Sequence, residues 1–150
     1  NGRGIWSVGT VDSVFGVRTG FWSSLDIGVG GAKVSYQDNN NGRLHMAVCT
    51  GNCNNGAAST WNRLTVDNGP GTGLYTTLRQ DENGQAHISY WDQSQARVRY
   101  AVQVGNTNTF TIVNVDTALP GMPSMMLGPP GTNFAYSTGT ALRYFPSSLF

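Results

Sequence analysis

Charge is what this 150-residue sequence lacks most. Asp, Glu, Lys and Arg make up 11% of it, with Lys33 the single lysine and Glu82 the single glutamate, and the formal net charge is +1. Without a polybasic tract, neither nucleic acid nor an anionic membrane surface is an expected partner. The same shortage of Lys and Glu removes the composition of long solvent-exposed helices. No apolar run approaches the roughly 20 residues that a spanning helix needs, so no membrane span is expected. Cysteine is confined to Cys49 and Cys53 in "CTGNC". A single C-x-x-x-C lacks the second ligand pair of a structural zinc site, and redox pairs are usually spaced C-x-x-C. The expectation is a local Cys49–Cys53 disulfide, with free thiols as the alternative. A disulfide favours an oxidising location: extracellular, cell-surface or periplasmic. The sequence opens on Asn1 rather than Met, which reads as a processed product or a piece of something longer.

What is abundant is glycine, at 20 residues, with the Thr, Val, Tyr and Trp that suit strands. The stretch "AHISYWD" (86–92) alternates apolar and polar positions. Fainter versions recur as "AKVSYQD" (32–38) and "NFAYSTG" (133–139), which brings Tyr36, Tyr90 and Tyr136 into register. Before each lies a second phrase: "FWSSLDI" (21–27), "LYTTLRQ" (74–80) and "MPSMMLG" (122–128). After each lies a third: "GRLHMAVC" (42–49), "ARVRYAVQ" (96–103) and "TALRYFPS" (140–147). A fourth, "WSVGTVD" (6–12), "WNRLTVD" (61–67) and "FTIVNVD" (110–116), opens on an aromatic and closes six residues later on Asp12, Asp67 or Asp116. Tyrosine-to-tyrosine steps of 54 and 46 residues set the period. Four strand-length phrases joined by Asx-Gly turns such as "DENGQ" (81–85) and "DNNNGR" (38–43) predict four antiparallel strands per repeat. Four strands at this period is the grammar of a β-propeller blade.

The second repeat follows the pattern W-x-x-x-x-V-D … G-x-Y-x-x-L-x-x-D-x-x-G-x-x-H-I-S-Y-x-D … V-x-Y-A through Trp61, Asp67, Tyr75, Leu78, Asp81, Gly84, His87, Ser89, Tyr90, Asp92, Tyr100 and Ala101. This resembles the repeat of secreted bacterial β-propellers loosely called sialidase-like. The first and third repeats match in outline, so the resemblance covers nearly the whole chain. It implies an all-β fold of four-stranded antiparallel blades and does not by itself name an activity.

One domain over 1–150 is expected, with repeats near 13–67, 68–116 and 117–150 and a closing strand at 6–12. The sequence begins with the fourth phrase and ends after the third. The two orphan parts together make one blade, giving three blade-equivalents, half of a six-bladed ring. Natural rings have at least about four blades, so three do not close a circle. Two solutions stay open. Two copies can associate, each donating strand 6–12 to the other's last blade; or the remaining blades belong to a longer propeller. The homodimer is preferred, because its strand count closes without remainder and it hides exposed strand edges.

Candidate chemistry is sparse. A sialidase-type site needs an arginine cluster and a tyrosine or carboxylate nucleophile. Here Arg43 and Arg97 occupy equivalent places, and Arg99 and Arg143 share the place held by His45, which argues for a structural job repeated in each blade. The sialidase Asp box survives only as "SLDIG" (24–28), without its tryptophan. "DNNNG" (38–42) lacks the glutamate that would complete an EF-hand calcium loop and reads as a turn. His45 and His87 stand in different repeats and read as packed histidines; Ser89, His87 and Asp92 have no nucleophile elbow around the serine. Asp12, Asp67 and Asp116 are expected to cap backbone N–H groups where one blade passes to the next, with a ring of cation- or sugar-binding acids as the alternative. Trp22 and Trp91 are the candidates for stacking on a ligand, as in propeller lectins. The function expected is therefore a secreted, non-catalytic binding or assembly module with a protein or glycan partner. A carbohydrate-binding lectin ranks second and a sialidase-like glycosidase third. No metal or cofactor is expected.

Overall fold

The alternating phrases fold as strands, joined where Asx-Gly chemistry reverses the chain. The structure, a computed structural model, describes residues 7–14, 16–117, 122–128 and 131–146. Among these the elements are β1 (Phe21–Gly28), β2 (Gly31–Asp38), β3 (Arg43–Gly51), β4 (Thr60–Asp67), β5 (Leu74–Gln80), β6 (Ala86–Asp92), β7 (Arg97–Gln103), β8 (Phe110–Thr117), β9 (Ser124–Gly128), β10 (Gly131–Ser137) and β11 (Leu142–Pro146). A single 3₁₀ turn at Gly56–Ala58 is the one helical element among the described residues. The strands form three antiparallel sheets, ordered β1-β2-β3-β4, β5-β6-β7-β8 and β9-β10-β11.

The expected strands from 21 to 145 all form, with ends moved by two residues or fewer. The strand expected at 6–12 does not: residues 7–12 lie outside any strand, and Trp6 falls outside the described residues. A strand needs a hydrogen-bonding neighbour, and no partner edge runs beside this segment among the described residues.

The sheets stack face to face, the second between the other two. Leu44, Met46, Leu64 and Val66 of the first sheet pack against Leu78, Ile88 and Tyr90 of the second. On the other side Trp91, Val98 and Tyr100 pack against Met125, Phe134 and Tyr136 of the third. Strand β6 is therefore buried along its whole length, its two alternating faces each meeting a different neighbour. The first strands of the sheets lie side by side. Ser24 Oγ accepts from Leu78 N (3.0 Å), Asp26 Oδ2 accepts from Gln80 N (2.7 Å), and Thr77 Oγ1 donates to the Pro123 carbonyl (2.9 Å). The first two bonds satisfy edge N–H groups of β5 that its own sheet leaves unpaired, and the third satisfies the carbonyl just before β9.

The turns between first and second strands also touch. At Gly84 (φ 77°) a Cβ would lie 2.7 Å from Gly30 N, so the positive φ and the close approach both require glycine there. Alongside, the Lys33 ammonium donates to the Gly84 carbonyl (2.5 Å) and to Gln103 Oε1 (3.1 Å). The only lysine of the chain is thus buried as a clasp between sheets, and burial holds its pKa below the ordinary value despite the opposing pull of Asp81.

Candidate functional site

Three copies of one polar cluster join each sheet to the segment before it. Tyr36 donates to Asp12 Oδ2 (2.8 Å), Tyr90 to Asp67 Oδ2 (2.6 Å) and Tyr136 to Asp116 Oδ2 (2.6 Å). A guanidinium completes each cluster: Arg63 3.5 Å from Asp12, Arg99 3.0 Å from Asp67, and Arg143 bonded to Asp116. In the second and third clusters the arginine sits directly across the ladder from the tyrosine; in the first that place belongs to His45, and Arg63 reaches in from β4 instead. Burial, then the bond to the aspartate, pushes the hydroxyl pKa of Tyr36, Tyr90 and Tyr136 upward, so the phenols stay protonated donors. Asp67 also accepts the Gly69 N–H (2.9 Å), the backbone-capping role expected of it. The larger part of its work is to hold the tyrosine of the next sheet. Sequence reasoning aligned Tyr36, Tyr90 and Tyr136 and aligned the three aspartates, but did not join the two series. Their shared period was the signal that could have done so.

Arg63, Arg99 and Arg143 are thus used separately, one per cluster, each paired with its own aspartate. Asp26, of the shortened Asp box, holds the Gln80 N–H (2.7 Å). The "DNNNG" loop is a turn: Asp38 Oδ1 accepts from the N–H of Asn40 (3.0 Å) and Asn41 (3.3 Å), and Oδ2 from Asn41 Nδ2 (2.6 Å). Burial raises the Asp38 pKa, but these bonds outweigh it and the net shift is downward. His45 lies 3.8 Å from Asp38 and shares a hydrogen bond with Thr65 (3.3 Å). His87 bonds the Tyr100 hydroxyl and lies 3.6 Å from Asp81. Burial is the main reason both imidazoles titrate below the ordinary histidine value. No three His, Cys, Asp or Glu residues come together as a metal-binding group among the described residues. Cys49 and Cys53 are joined as a disulfide.

The candidates for ligand stacking separate. Trp91 is 7% exposed and packs between the second and third sheets, so it has no ring face to offer; the pairing of Trp22 with Trp91 as exposed platforms is corrected for this residue. The physical reason is that β6 is covered on both faces, which strand alternation cannot announce. Trp22 is 44% exposed, and its ring centroid lies 4.3 Å from that of Tyr75, itself 6.4 Å from Trp91. Trp22 and Tyr75 each have φ of 54°, at the register shifts that open β1 and β5. A bulky residue held in the left-handed region costs about 1–2 kcal/mol, and such strain collects at ligand clamps. Nearby geometry thus replaces the Trp22/Trp91 pair with a Trp22/Tyr75 pair. A separate groove of about 660 Å³ opens between the second and third sheets, lined by Asp81, Glu82, Gln85, His87 and Thr132.

No model of a known protein family matches the chain, and no curated protein and no solved structure is significantly similar to it.

Proposed function

We propose that this chain is a propeller-type, non-catalytic binding and assembly module, its three sheets serving as blades of a larger ring. The observation that carries this reading is the triple Tyr–Asp–Arg cluster, which spends three such sets of side chains on fastening each sheet to the segment or sheet before it. A catalyst gathers an acid, a base and positive charge at one place; in these clusters aspartate, phenol and guanidinium are instead repeated one set per sheet and paired with one another. The disulfide supports an oxidising location, outside the cytoplasm. Recognition of a protein or glycan partner falls to the loop ends of this rigid scaffold, where contact residues can vary without disturbing the core.

A panel of chromogenic glycosides tests the non-catalytic half of the reading. No turnover is expected, and hydrolysis abolished by one substitution would overturn it.

A second reading, a carbohydrate-binding lectin, is favoured by the strained and partly exposed Trp22 packed against Tyr75, the rings tilted by 57°. An apolar ring face of this kind suits the C–H face of a sugar. On a glycan array, binding lost in Trp22→Ala puts the lectin first; binding unchanged in that variant removes this edge as the site.

A further inference from the structure

The cross-strand register makes equivalent positions of the three sheets comparable one by one. Tyr36, Tyr90 and Tyr136 stand opposite His45, Arg99 and Arg143. One residue before these partners are Leu44, Val98 and Leu142; one residue after are Met46, Tyr100 and Tyr144. Leu44, Val98, Met46 and Tyr100 are fully buried, because each faces the following sheet, whereas Leu142 is 82% exposed and Tyr144 67% exposed. On the opposite face, Leu25, Leu78 and Met125 stand opposite Val34, Ile88 and Phe134. Leu78 and Met125 are buried against the preceding sheet, while Leu25 is 57% exposed. Among the described residues, then, no sheet precedes the Leu25 face of the first sheet, which only the segment around Asp12 partly covers, and none follows the Leu142/Tyr144 face of the third.

Residues 7–12 add a second, independent observation. Asp12 holds Tyr36 just as Asp67, the last residue of β4, holds Tyr90. At the other end of the segment Ser7 Oγ accepts the Gly56 N–H (2.8 Å) and donates to Asn55 Oδ1 (3.2 Å). The segment is therefore fastened on the open face of the first sheet, in the place that the fourth strand of a preceding sheet would fill. The third sheet has no fourth strand among the described residues, and β11 is its free edge.

We propose that the missing neighbour is a second copy of this chain. The Leu142/Tyr144 face of each copy covers the Leu25 face of the other, and residues 7–12 of each pair with β11 of the other as its fourth strand. The proposal rests on the propeller reading above, since it extends the same sheet-to-sheet junction by two more. A junction of this kind is already complementary, because the corresponding faces meet inside the chain twice. Two copies give six sheets, the one multiple of three within the usual range of about four to eight blades. A two-fold axis then repeats the new junction and leaves no open edge.

The experiment is mass in solution, by light scattering across a dilution series. Twice the 16.1 kDa of one chain is expected, dissociating on dilution without loss of strand signal. Leu142→Asp with Tyr144→Asp is expected to give single chains, and so is Leu25→Asp; all three side chains are exposed in the single chain, so each variant keeps its fold by circular dichroism. Mixing the two variants restores one intact junction and is expected to recover dimer, weaker than the parent. A parent mass of one chain at every concentration overturns the proposal, as does a dimer that both variants leave intact. Neither result touches the non-catalytic reading, which the glycoside panel decides separately; turnover by a dimer would overturn that reading and leave this one standing.

Discussion

The second and third sheets are built from the same phrases and live in different surroundings. Strand β6 is buried at every residue, while β11 is exposed at every residue. Val98 and Leu142 hold the same register position, and so do Tyr100 and Tyr144, yet the first of each pair is fully buried and the second lies open. The difference teaches that the repeat encodes the sheet, whereas burial is set by what stands on either side of it. A strand pattern of alternating residues is compatible with one covered face or two; the neighbour decides.

The largest expected effect comes from cutting back the same position in different sheets. Leu44→Ala, in the core between the first and second sheets, is expected to cost about 2–5 kcal/mol, the transfer loss plus the cavity left behind. Leu142→Ala should stay within about 0.5 kcal/mol in dilute single chains, since the side chain is already in water. Urea denaturation of both variants measures the contrast. Equal losses would break the comparison, because they would mean that Leu142 is covered within one chain.

The polar clusters sharpen the comparison next. Asp67 is nearly buried and serves Tyr90, Arg99 and Gly69 together. Its replacement by Ala strands the buried Tyr90 hydroxyl and takes one of the two carboxylates from Arg99, which keeps Asp92, for an expected loss of about 3 kcal/mol. Asp116 serves Tyr136 and an Arg143 that is half in solvent, so Asp116→Ala is expected to cost markedly less, water taking over part of the role. Denaturation midpoints of the two variants rank them; a greater loss for Asp116 would contradict the burial argument.

How far these features were legible follows from the kind of signal each one leaves. Strands from Phe21 to Phe145 were readable because alternation and Asx-Gly turns are local properties. The matched Asp and Tyr series were readable as repeats, but the bond between them crosses 20 to 24 residues and depends on how sheets stack. Arg63 was hidden, because the first sheet carries His45 where the others carry arginine. The aromatic-to-Asp spacing of "WSVGTVD" matches a strand, but a strand exists only beside a partner edge, and its partner is not in the same chain's described residues. Trp91 was misjudged for a related reason: sequence gives its face and leaves out the sheet that covers that face. The left-handed backbone at Trp22 and Tyr75 comes from bulges that no residue type there announces.

Acid should act on the sheets in sequence. His45 and His87 lie in the first two sheets, and burial lowers both from the ordinary value of 6.5. The unfolded chain then binds more protons than the folded one as pH falls through that value, so stability is full above it and declines below it. Asp116, held down first by the Tyr136 hydroxyl and also by Arg143, contributes stability that is lost only at lower pH, through the carboxylate range. Urea midpoints followed from about pH 7.5 to about pH 5 should fall, and the fall should shrink in a His45→Gln, His87→Gln double variant. An unchanged slope in that variant would assign the decline to the carboxylates.

Apart from the near-neutral Leu142→Ala, the smallest effect on stability is expected at the disulfide, where the comparison moves to corresponding loops. The loop after β3 is bridged by Cys49 and Cys53, four residues apart, whereas the loop after β7 is held by hydrogen bonds, Gln103 Nε2 to the Thr107 carbonyl (2.7 Å) and the Thr107 hydroxyl to Thr109 (2.7 Å). That the second loop keeps its shape without a bridge argues that the first does not depend on one for folding. So short a closed ring removes little unfolded-state entropy, and a Cys49→Ala, Cys53→Ala double variant should lose only about 1–2 kcal/mol. Its larger consequence should be elsewhere. Asn55 and Gly56, which anchor Ser7, stand two and three residues after Cys53, so loosening the loop loosens residues 7–12 on the open face of the first sheet. The double variant should therefore melt only a few degrees below the parent, while the proposed two-copy form dissociates at higher concentration. A variant that melts much earlier would give the bridge a role in the core of the first sheet, and one that associates as tightly as the parent would detach the loop from the contact between copies.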